Sequence, residues 1–319
     1  MTVISYQEWL ESGHTRRELR QALSDGSVRK LRRSVLTDLP PGSRVDAEHL
    51  ARVRATAPFL GARTYFSRFS AAAVHGLPLM RRRFDEVTVV RTGGGHGSIA
   101  PTIHARRASL DDADVAVVDG LPVTGLARTV ADLIRELPFE EAVMVADAAL
   151  HRGLARDDVA ARITSGRGCR RAASVLGFAD DGAESPGESL SRVRMWQAGI
   201  VMPTLQHVVC DHNGNFLGRS DFYWEHCDTA GEFDGAVKYD ELAGGRAPAA
   251  VLMDEKRREA RIRDVVSDVV RWTWPDLWDD TMVNRVAAIV GLRDDRRPAF
   301  PIDGHSSRRR PLPGQGPWT

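Results

Sequence analysis

The sequence predicts an α+β chain of several domains: an N-terminal winged helix-turn-helix, a middle α+β domain and a C-terminal α/β domain. Three observations predict it. Two short helical patterns and a basic alternating run fill residues 5–39; strand and helix patterns mix over 46–155; and from residue 184 the order is helix, strand, strand, strand, helix, strand, helix.

Thr15 and Glu18 have the spacing of a capping box, so a helix is expected to start at Thr15, run through Leu19 and Leu23, and stop at Gly26. Val28, Lys30, Arg32 and Ser34 then alternate with Arg29, Leu31, Arg33 and Val35, the period of a β-ribbon. Helices followed by a basic ribbon are the outline of a winged helix, which sets one helix in a major groove and the ribbon on phosphates. Arg16, Arg17, Arg20, Arg29, Lys30, Arg32 and Arg33 are therefore candidate DNA-binding residues, with Glu18 and Asp25 the local acids. An ordinary solvated charged helix is the plainer explanation of the same residues.

In the middle segment, Phe69 to Val74 reads as a helix stopped by Gly76-Leu77-Pro78, and Val87 to Arg91 as a strand whose partner, Thr102 to Arg106, lies across a glycine-rich loop expected to be a hairpin tip. Asp119-Gly120 should turn a hairpin between Val115–Val118 and Leu121–Thr124. Thr124 is expected to cap a helix carrying Leu126, Val130, Leu133 and Leu137, and a further helix should run from Phe139 to His151. The Gly93–Gly97 loop has no Lys-Ser/Thr pair after it, so it does not read as a nucleotide-phosphate loop. Residues 1–45 and 46–155 form the first two expected domains, 156–183 a linker with short helices, 184–291 the last domain, and 292–319 a tail with few apolar residues, expected to be disordered.

In the last domain, Ser185-Pro186-Gly187-Glu188 should open a helix, and strands are expected over 204–210, 216–224, 230–234 and 269–272, with a long amphipathic helix over 249–268 and a closing helix from Pro275. Asp221 interrupts an aromatic strand, while Glu232 and Asp234 are two apart and share one face. Converging carboxylates repel unless a cation sits between them, and oxygen ligands select Mg²⁺ or Mn²⁺, which can lower the pKa of a bound water. Lys238 and Lys256 are the lysines of this segment. Plainer alternatives stay open: Glu188 as the return half of a capping box, and Asp234-Gly235 as a turn. Cys210, His212, His226 and Cys227 lack the spacing of a zinc site.

Composition agrees with a globular chain. Of 319 residues 42% are hydrophobic and 27% charged, 44 basic residues balance 43 acidic ones, and no apolar run approaches a membrane span. Only Lys30, Lys238 and Lys256 among the basic residues are lysines. Three cysteines without a Cys-x-x-Cys pair, and a start lacking a signal peptide's apolar segment, suggest a cytoplasmic protein.

Glu232-Phe233-Asp234-Gly235, preceded by Arg219-Ser220-Asp221-Phe222 and followed by Lys238-Tyr239, resembles the DUF559 branch, similar to very-short-patch repair enzymes, of the PD-(D/E)xK nuclease-like superfamily. Glu255-Lys256-Arg257-Arg258-Glu259 and Val270-Arg271-Trp272-Thr273-Trp274 resemble its usual helix and final strand. Thr15-Arg16-Arg17-Glu18-Leu19-Arg20 and the stretch 125–132 resemble the AbiEi-type antitoxin family. These resemblances imply a restriction-endonuclease-like C-terminal fold, DNA as partner together with a toxin or other protein, Asp221 and Glu232 as Mg²⁺ ligands, Glu188 and Asp234 assisting, and Lys238 or Lys256 positioning the attacking water. The position that is lysine in the parent superfamily is Asp234 here. Two functions follow as expectations: a Mg²⁺-dependent endonuclease, or a non-catalytic antitoxin-like regulator that binds operator DNA.

Overall fold

The computed structural model describes residues 3–32, 34–40, 45–80, 86–93, 103–163, 165–235 and 261–292. They form a mixed α+β architecture in two compact units, one holding the described residues up to Leu137 together with those of Leu154–Ala173, the other Pro138–Gly153 and the described residues from Ser174 to Leu292. The segment 156–183 thus belongs partly to each. Among the described residues no helix is long and apolar enough to cross a membrane.

The first unit opens with β1 (Val3–Ser5), α1 (Tyr6–Glu11), α2 (Arg16–Asp25), β2 (Arg29–Arg32) and β3 (Val35–Thr37), the strands in the order β1-β3-β2. Both helices start on capping boxes, Ser5 with Glu8 and Thr15 with Glu18, and α2 stops where Gly26 takes a left-handed φ of 79°. Leu19, Val28 and Leu36, with Ile4, Tyr6, Trp9 and Leu23 against them, make a small core.

Next come α3 (Val45–Thr56), β4 (Thr64–Phe66), α4 (Arg68–Val74), β5 (Val87–Arg91), β6 (Ile103–Arg107), β7 (Val115–Val118), β8 (Leu121–Thr124) and α5 (Leu126–Ile134), with strand order β6-β5-β4-β8-β7. Val53, Phe66, Ala71, Val87, Val89 and Val123 are its core. Asp119 and Gly120 take φ of 49° and 77°, turning β7 into β8 as expected. Two expectations need correction. β6 runs parallel to β5, so the glycine run does not tip a hairpin; alternation marks a strand and says nothing of its direction. Of that loop, residues 94–102 lie outside the described residues. The cap of α5 is Gly125 rather than Thr124, whose buried hydroxyl instead meets that of Thr129 at 2.7 Å.

The second unit contains α6 (Phe139–His151), the end of α8 (Cys169–Phe178), α9 (Pro186–Ala198), β9 (Thr204–Cys210), β10 (Phe216–Trp224), β11 (Thr229–Asp234), β12 (Asp268–Thr273), α10 (Trp274–Trp278) and α11 (Thr281–Val290); the short α7 (Arg156–Ala160) belongs to the first. β9, β10 and β11 form an antiparallel meander and β12 joins parallel to β11. The alternation of β10 buries Ser220, Phe222 and Trp224. α9 covers that face: the Trp272 indole N–H donates to Ser191 Oγ at 2.7 Å, and Gly187 lies on the Phe233 ring. The helix expected over 249–268 is described only at its end, where residues 261–263 are helical and the chain turns before β12.

Candidate functional site

Two places concentrate charge in the way the sequence suggested. The first is the exposed side of α2. Leu19 is the buried residue of this helix, and Arg16, Arg17 and Arg20, spaced three and four apart, stand together on the solvent side. Both local acids are engaged elsewhere. Glu18 accepts from the Thr15 N–H at 2.6 Å and from the Thr15 hydroxyl at 3.0 Å, which holds its carboxyl below the usual range. Asp25 accepts from the Ser27 hydroxyl at 2.7 Å and the Ser27 N–H at 3.0 Å, with the same consequence. Among the described residues neither acid neutralises the three arginines, so the helix presents net positive charge.

The ribbon is divided. Lys30 is exposed on β2, whereas Arg29 turns inward, its Nε donating to the Leu39 carbonyl at 2.7 Å and its guanidinium pairing with Glu48 at 3.2 Å. Arg29 therefore ties β2 to α3 and is not part of the exposed set. Arg32 lies on β2, and Arg33 lies outside the described residues.

The second place is the sheet of the C-terminal unit. The β10–β11 ladder ends at the pair Phe222–Gly231, and Asp221 and Glu232 are the next residues beyond it on the two strands. Both are on the face opposite α9, and Asp234 follows on that face, exposed at the strand end. These acids are neighbours on adjacent strands, and among the described residues the groups beside them are a guanidinium and a backbone N–H. Glu232 is directly opposite Arg271 of β12 and forms an ion pair with its guanidinium, and Asp221 Oδ2 accepts from the Phe233 N–H at 2.9 Å. Arg271 does not stand out in the sequence: its strand is legible, but only the β11–β12 register shows that it stands against Glu232.

Glu188 is almost fully buried and returns to the start of α9. Its carboxylate accepts from the Glu184 N–H at 2.9 Å, the Ser185 hydroxyl at 2.6 Å and the Gln206 amide at 2.9 Å. Lys238 and Lys256 lie outside the described residues. Among the described residues no group of three or more His, Cys, Asp or Glu side chains is placed to hold a metal ion. Among the described residues, the positive charge beside Glu232 comes from a guanidinium and a backbone N–H takes one Asp221 oxygen, an arrangement that does not by itself fit a Mg²⁺ site. Removing Arg271 tests this. We expect Arg271→Gln to release Glu232 from that ion pair and to give Mn²⁺ binding, read by paramagnetic resonance, that the parent protein lacks; equal binding by both would show that the guanidinium does not block the acids.

No family model matches the chain. It is similar to two Mycobacterium tuberculosis proteins, each described as uncharacterized, Rv2248 of strain H37Rv and MT2308 of strain CDC 1551; each is 28% identical over 253 residues, covering 77% of this chain and 87% of the relative. A crystal structure of the Rv2827c protein from M. tuberculosis aligns over 60% of this chain and 75% of its own with a TM-score of 0.35 and 18% identity.

Proposed function

We propose that the protein is a non-catalytic, antitoxin-like regulator that binds operator DNA through its N-terminal helices and ribbon. One observation carries this reading: Arg16, Arg17 and Arg20 stand exposed on the second of two short helices while Glu18 and Asp25 are held by their own neighbours. The segment order β1, α1, α2, β2, β3 with sheet order β1-β3-β2 suits a winged helix, in which the second helix enters the major groove and the ribbon, carrying Lys30, rests on the backbone. In this reading the C-terminal sheet is a scaffold or a surface for a protein partner such as a toxin, and the Glu232–Arg271 pair is the sheet's internal neutralisation.

The test is salt-dependent binding of the full chain to a promoter fragment. Every phosphate that the protein ceases to neutralise should lower the slope of log K against log salt by about 0.9. Arg16→Ala with Arg17→Ala should therefore weaken binding about tenfold or more near ~0.1 M salt and flatten the slope by about two. Unchanged binding would overturn the reading.

The endonuclease reading keeps one supporting observation, the approach of Asp221 and Glu232 across adjacent strands. It requires that the protein cut plasmid, linear or single-stranded DNA with Mg²⁺ or Mn²⁺ and that Asp221→Ala and Glu232→Ala abolish the cutting. Intact DNA in all three forms leaves the regulator reading in place, and cleavage abolished by both substitutions replaces it.

A further inference from the structure

We infer, on the premise that the protein binds operator DNA as above, that Gln21 of α2 reads an adenine in the major groove. An α-helix turns about 100° per residue, so every position of α2 has a fixed direction relative to the buried Leu19. Ala22 and Leu23 join Leu19 against the small core. Gln21, two residues past Leu19, is turned about 200° away from it and is exposed. Arg17, two residues before Leu19, and Ser24, three past Gln21, are exposed on the same outward stripe. The flanks of that stripe differ in charge. Arg16 and Arg20 occupy one, with the Arg20 Nε 3.5 Å from the Arg16 carbonyl; Glu18 and Asp25 occupy the other and are held by Thr15 and Ser27.

A major groove about 12 Å wide takes one helix, its outward stripe on the base edges and its flanks toward the phosphate walls. A helix set so brings Arg16 and Arg20 to one wall, where charge counts and sequence does not, and Arg17 at the helix start adds to that charge. Gln21 faces the base edges. It is neutral, so it adds nothing to the attraction that every duplex shares. What it offers is a carbonyl acceptor beside an amide donor, the complement of adenine N6–H and N7; guanine, with two acceptors, leaves the carbonyl unmatched. The amide is also oriented. The Asp25 carboxyl, held low by the Ser27 hydroxyl and then by the Ser27 N–H, is lowered a little further by Gln21. The NH₂ group of Gln21 therefore turns toward Asp25 and can give it one N–H, while the carbonyl oxygen and the second N–H remain for a base.

The experiment selects bound duplexes from a randomised DNA library with the full chain, then measures the salt dependence of binding to the selected duplex. It is run on the parent, Gln21→Ala and Gln21→Arg. The position is exposed and alanine and arginine are both good helix formers, so both variants should fold, which circular dichroism melting verifies. The parent should favour adenine at one position of its site by about 5- to 150-fold, the range of a good bidentate pair. Gln21→Ala should lose that preference and leave the salt slope unchanged, since no charge is removed. Gln21→Arg should move the preference at the same position from adenine to guanine, the bidentate partner of a guanidinium. An adenine preference that survives in Gln21→Ala overturns the inference, as does a parent that binds duplex without preferring adenine at any position. Either result leaves the regulator reading standing so long as Arg16→Ala with Arg17→Ala weakens binding and flattens the slope, whereas a parent that binds no duplex overturns both.

Discussion

Asp147→Ala is expected to cost about 3–5 kcal/mol of stability, the range for removing one partner of a buried ion pair. Asp147 on α6 is fully buried, and its carboxylate accepts from Arg192 of α9 at 2.8 Å and from the Asp180 N–H at 2.8 Å. Arg192 also donates to the Phe178 carbonyl at 2.9 Å and lies over the Phe178 ring, so one guanidinium joins α6, the end of α8 and α9. Truncating Asp147 leaves that charge buried with the partly exposed Asp180, at 3.6 Å, to offset it. The lower end of the range is therefore the better expectation. Denaturant unfolding checks it, and Asp147→Leu with Arg192→Met should lose less than the single change, because a matched apolar pair leaves no charge uncompensated.

The same carboxyl has a pH signature. Burial pushes Asp147 up to about 6 from an ordinary 3.8, and Arg192, the Asp180 N–H and Ser189 pull it partly back. Because the folded value lies above the unfolded one, the native state takes up the proton first. The contribution is fully present below about pH 4 and is lost as pH rises through 6, a change of up to about 3 kcal/mol. The test compares parent and Asp147→Asn at pH 7 and pH 4, since carboxylates held low, such as Glu8 and Asp228, act in the opposite sense in both proteins. A difference that does not change with pH would show that Arg192 outweighs burial.

Gly187→Ala should destabilise by about 1–3 kcal/mol, a sign opposite to the usual gain of about 1 kcal/mol from alanine in a helix. Gly187 is in the first turn of α9, and a Cβ there would fall inside the ring of Phe233 from β11. That ring is nearly buried and meets Trp274 edge-on at 5.2 Å, so it has little room to move. Circular dichroism melting would show the loss, and Phe233→Ala in the Gly187→Ala background should recover part of the helix–sheet fit. A stabilised Gly187→Ala would mean that the sheet yields to the methyl group.

Ser5, Thr15 and Ser185 cap helices, Gly26 ends one and Asp119-Gly120 turns a hairpin, because each of these acts on backbone groups within a few residues. The same locality made the faces of β10 and β11, and hence the approach of Asp221 and Glu232, readable from alternation. Strand direction, register and the partner of each charge are different in kind. Nothing near Arg271 says that it will stand against Glu232, nothing near Arg107 that it will oppose Arg91, and Arg29 looks like its neighbours until Glu48 takes it. By itself the sequence determined many of the helices and strands and the basic side of α2, though not β1, α3 or β4. Only the tertiary structure decided which charges remain available, because neutralisation depends on residues tens of positions apart meeting at a few ångströms.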